Sequence, residues 1–173
     1  MNAATNFLRL CVARGSFVDY MYLIQWIKSL FWMTEFTRET IPILILGNKV
    51  TDLLLEFLEQ CFEQGYSNPI TDADELTNEL IETKLIIPVI ANESNYSDVK
   101  SRLLDFHSCM MAGKFFVITN NVSLANAMES RSFKLIGKEV NYVNGYTSAL
   151  DMFEIVVKKK LGPSIIRDLV FSK

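Results

Sequence analysis

Three short segments constrain the fold more than anything else in this chain: "TIPILIL", "KLIIPVIAN" and "KFFVITNN". None shows the polar–apolar alternation of a half-exposed strand, so each reads as a strand buried on both faces, the habit of parallel sheets. Pro42 falls at the start of the first, where a missing N–H is tolerated. Between them the apolar residues recur at helical spacing. From about Asp19 to Phe36, Tyr20, Leu23, Ile24, Ile27 and Phe31 make one broad face, and Trp26, Trp32 and Met33 add bulk beyond it. In "KVTDLLLEFLEQCFEQG", Val50, Leu53, Leu54, Phe57, Leu58 and Phe62 line one side, and Gly65 is a suitable stop. Thr71 or Asp72 caps a short helical piece, "YSDVKSRLLDFHSCMMAG" is a further helix, and the stretch from Val122 to Val143 is less regular. "GYTSALDMFEIVVKKKLG" closes with a helix whose Lys158, Lys159 and Lys160 sit at the favourable end of its dipole and which Pro163 stops. Alternating helices and buried strands predict a parallel sheet covered on both sides, with right-handed crossovers, in one layered α/β domain. Residues 1–16 read as an N-terminal extension, 17–161 as the domain, and 162–173 as a tail apolar enough to dock on something.

The chain has 173 residues, room for one full core, and a net charge of −3, so the whole-molecule field does not favour a polyanion. Any nucleic-acid contact would have to be a local patch. Cys11, Cys61 and Cys109 are odd in number and far apart, which argues for a reducing compartment. With His107 as the single histidine and no paired-cysteine spacing, no metal site is expected. The N-terminus lacks the apolar core of a secretory signal, and "FVDYMYLIQWIKSLFWMTEF" is interrupted by Asp19, Gln25, Lys28 and Glu35, so no membrane span is expected.

In an open parallel sheet, function gathers at the carboxyl ends of the strands. Those ends are Gly47-Asn48-Lys49, Ala91-Asn92-Glu93 and Thr119-Asn120-Asn121. A phosphate loop needs several glycines and a lysine followed by Ser or Thr; here one glycine stands before Lys49, and Val50 follows it. A dinucleotide fingerprint fails for the same lack of glycine, and a phosphoacceptor site lacks its acids after the first strand. His107, Asp105 and Ser108 are sequence neighbours on a helix and so do not face one another as a triad would. Cys61 and Cys109 lie on helices, where a free thiol acts as a small hydrophobe. The expectation is a chain without catalysis, cofactor or small-molecule substrate.

The strand ends are instead rich in amides and hydroxyls, groups that suit contact with an RNA backbone or a neighbouring protein. Their order resembles the small-subunit ribosomal protein two family. "ILILGNK" followed by "VTDLLLEFLEQC" is similar to that family's strand ending in Gly-Thr-Lys and its helix. Leu76, Thr77 and Asn78 match its Leu-Thr-Asn, "LIIPVIAN" its next apolar strand, "FFVITNN" its strand ending Asp-Thr-Asn, and "YVNGYTSALDMFEIV" its last turn and helix. The collinear set spans roughly Phe17 to Leu161. The chain departs from the pattern at Asp72, Asp74 and Glu75, which stand where the family is basic, and at Ile118, which takes the place of an aspartate. The resemblance implies a flavodoxin-like or Rossmann-like fold and a non-catalytic structural constituent of a small ribosomal subunit. It implies partners in small-subunit rRNA and neighbouring ribosomal proteins, in a mitochondrial or alternatively cytoplasmic ribosome. The residues it suggests for RNA are Lys49, Asn78, Asn120, Asn144, Lys158, Lys159 and Lys160, with Trp26, Trp32 and "IIRDLVF" buried against partners. The alternative is a receiver-like protein-interaction domain without phosphorylation chemistry.

Overall fold

The computed structural model describes residues 2–32, 40–108, 114–138 and 143–171. The side chains of Trp32, His107 and Ser108, the whole of Cys109, and residues 33–36 of the expected Asp19–Phe36 segment lie outside what is described. The described chain begins with a short helix, α1 (Ala3–Asn6), that runs into a π-helical turn (Phe7–Val12), and α2 (Phe17–Trp32) follows. Then come β1 (Ile41–Ile45), α3 (Asn48–Phe62), α4 (Asn78–Thr83), β2 (Ile87–Ile90), α5 (Tyr96–Ser108) and β3 (Phe115–Thr119). The chain continues through α6 (Val122–Met128), β4 (Phe133–Ile136), α7 (Tyr146–Lys158) and α8 (Gly162–Phe171).

The four strands are all parallel, in the order β2-β3-β1-β4, and helices cover both faces. This is the layering of Rossmann-like and flavodoxin-like folds. The order places β1 between β3 and β4, unlike the 3-2-1-4-5-6 and 2-1-3-4-5 orders of those two types. Residues 66–70 add an irregular edge beside β2 through bridges Tyr66↔Ile86 and Ile70↔Val89.

The apolar-throughout strands are explained by their two faces. Ile41, Ile43, Ile45, Val117 and Leu135 point into one core with α4, α5 and α6, while Leu44, Leu46, Phe116, Ile118 and Ile136 point into a second with α2, α3, α7 and α8. The chain leaves β1 toward the far edge and returns strand by strand. With right-handed crossovers that reversal sends α3 to one layer and α4, α5 and α6 to the other.

Several expectations are corrected. The stretch from Val122 to Val143 holds a helix and a strand: α6 is capped by Asn121, whose Oδ1 accepts from Leu124 N at 3.1 Å, and β4 pairs along β1. Pro163 opens α8 in its first turn, where its missing N–H has no partner to lose, and is more than a stop for α7. Residues ahead of Phe17 belong to the core: Phe7 stacks on Phe153 of α7 with centroids 3.8 Å apart. The tail docks on its own chain, burying Ile166, Leu169 and Val170 in the same cluster as α3. Trp26 is 3% exposed and sits edge-on to Phe116, so it fills this core and presents no surface to a partner.

Candidate functional site at the carboxyl edge of the sheet

Only Leu46 and Gly47 separate β1 from α3, and Thr51 N donates to Gly47 O at 3.0 Å, so the helix starts at once. No arch of backbone N–H groups forms above the strand. Lys49 turns from the corner to α7, its Nζ 3.0 Å from Glu154 Oε2, and Lys158 Nζ reaches Oε1 of the same carboxylate at 2.9 Å. Hydrogen bonds from Lys158 and then Lys49 hold the half-buried Glu154 carboxyl below its ordinary range. Arg14, at φ +52°, comes to the rear of the corner and donates from Nη2 to Ile45 O at 3.2 Å.

The second corner is closed by two asparagines. Asn92 Oδ1 accepts from Ser94 N at 2.9 Å and Asn95 N at 3.0 Å, and Asn95 Oδ1 accepts from Asn92 N at 2.7 Å. The Asn95 amide then donates to Thr71 O at 2.7 Å and Ile90 O at 2.8 Å, tying the irregular edge to β2. Sequence reasoning passed over Asn95, since the bond that ties it to Thr71 on another segment leaves no motif. Asn95→Ala strands two carbonyls and an N–H, and is expected to cost about 1–3 kcal/mol in a urea titration followed by circular dichroism. At the third corner Thr119 is buried and its Oγ1 accepts from Asn121 N at 3.2 Å. At the fourth, Gly137 N donates to Asp19 Oδ2 at 3.0 Å.

A depression of about 550 Å³ opens beside the second corner, lined by Asp72, Asp74, Asp98, Asp105 and Arg102 among others. Arg102 donates from Nε to Leu76 O at 3.0 Å. Among the described residues no group of His, Cys, Asp and Glu has the arrangement of a metal site. Burial pushes the thiols of Cys11 and Cys61 up to about 12, far from nucleophilic range.

The residues singled out from the sequence do not converge. Lys49 and Lys158 meet at Glu154, with Lys159 and Lys160 exposed beyond them. Asn78 opens α4 in the opposite layer, Asn120 is exposed after β3, and Asn144 borders a separate cleft between α7 and the N-terminal helical turn. Among the described residues no helix is long and apolar enough to cross a membrane.

Fold and edge together define a three-layer parallel α/β module whose strand ends are closed by its own side chains. No family model matches the chain, and no curated protein does. Two solved structures of the NrS-1 C-terminal region share its fold. One, of residues 305–718 in the apo state, is 18% identical with a TM-score of 0.58, over 98% of this chain and 48% of that one. The other, an apo A form, is 16% identical with a TM-score of 0.66, over 100% of this chain and 46% of that one. The chain thus spans about half the length of each, and the likeness is one of fold.

Proposed function

We propose that this chain is a non-catalytic scaffold that works through its surface, as a structural constituent of a small ribosomal subunit of mitochondrial type. The observation that carries the non-catalytic part is the closed carboxyl edge. A two-residue corner stands where a phosphate loop would arch, Lys49 is committed to Glu154, and Asn92, Asn95 and Asn121 are occupied with their own backbone. The ribosomal assignment rests on the collinear motifs from "ILILGNK" to "YVNGYTSALDMFEIV". On this reading Lys159, Lys160 and Asn120, exposed, are the groups offered to rRNA. The acidic depression at Asp72 and Asp74 repels a phosphate backbone and suits a basic segment of a neighbouring protein.

The tagged chain, expressed in its own cells, is expected to co-sediment with small subunits in a high-salt sucrose gradient. Recovery only as free protein at the top of the gradient overturns the ribosomal assignment. Purified protein with Mg²⁺ and each nucleoside triphosphate is expected to release phosphate no faster than buffer. Turnover above that blank, abolished by Lys49→Ala, overturns the non-catalytic one. The acidic depression also favours a second reading, a protein-interaction domain of receiver-like shape. A single basic partner copurifying in place of a particle would select it.

A further inference from the structure

We draw no further inference here: the strongest candidate, the exposed apolar patch of Phe17, Val18 and Met21 at the start of α2, is an unpartnered helix face, and nothing in the structure shows what covers it.

Discussion

Phe153→Ala is expected to lower the unfolding free energy by about 3–5 kcal/mol, a large share of the roughly 5–15 kcal/mol typical of such a domain. Phe153 is fully buried in α7, stacked on Phe7 at 3.8 Å and set edge-on to Phe57 of α3 at 5.0 Å. One truncation therefore opens a void among three elements, and none of the three can move in to fill it without leaving its other neighbours. Urea denaturation followed by far-ultraviolet circular dichroism measures the effect, with the midpoint falling and the slope unchanged. A loss below about 1 kcal/mol would mean that the N-terminal turn is not part of the cooperative unit.

The second large effect is expected at Gly137, just after β4. Its φ is +71°, and a Cβ built there would lie 2.7 Å from the carbonyl oxygen of Val12. Gly137→Ala combines a left-handed backbone that L-residues disfavour with a clash against main chain that has no rotamer to change. The two together are expected to cost about 2–4 kcal/mol. Gly47→Ala is the control: its backbone is extended, with φ −72°, and nothing lies near its added methyl, so it is expected to stay close to the parent. Thermal unfolding of the pair checks this directly, and equal melting temperatures for Gly137→Ala and Gly47→Ala would refute the close approach at Val12.

What the sequence disclosed depended on how strongly burial writes itself into residue type. β1, β2 and β3 are packed on both sides, and their unbroken apolar runs said so. β4 carries Lys134 between Phe133 and Leu135, because at the sheet edge a lysine can lie 5.2 Å from the Tyr22 ring with its charge near solvent. That one polar residue in a four-residue strand hid it. The seven residues of α6 are two turns, too few for a periodic stripe to stand out, and only Asn121 as a cap marked its start. Pro163 was ambiguous in principle, since the residue that ends one helix also fits the first turn of the next. The site was less legible than the fold. Trp26 looked like a partner anchor because its place beyond the main apolar face suggested a second surface, yet Phe116 of the sheet lies against it. Asn95 matters through its bond to Thr71 on a separate segment, which spacing along the chain does not encode.

The central position of β1 bears on how this molecule reaches its native state. The first strand to leave the ribosome is the middle of the finished sheet, and its partners, Val117 opposite Ile43 and Phe133 opposite Ile41, are made much later. Until they emerge, "ILILG" has no backbone partner and both its faces are greasy. Loop closure across that span precedes any reward from pairing, so acquisition of structure is slow and governed by topology.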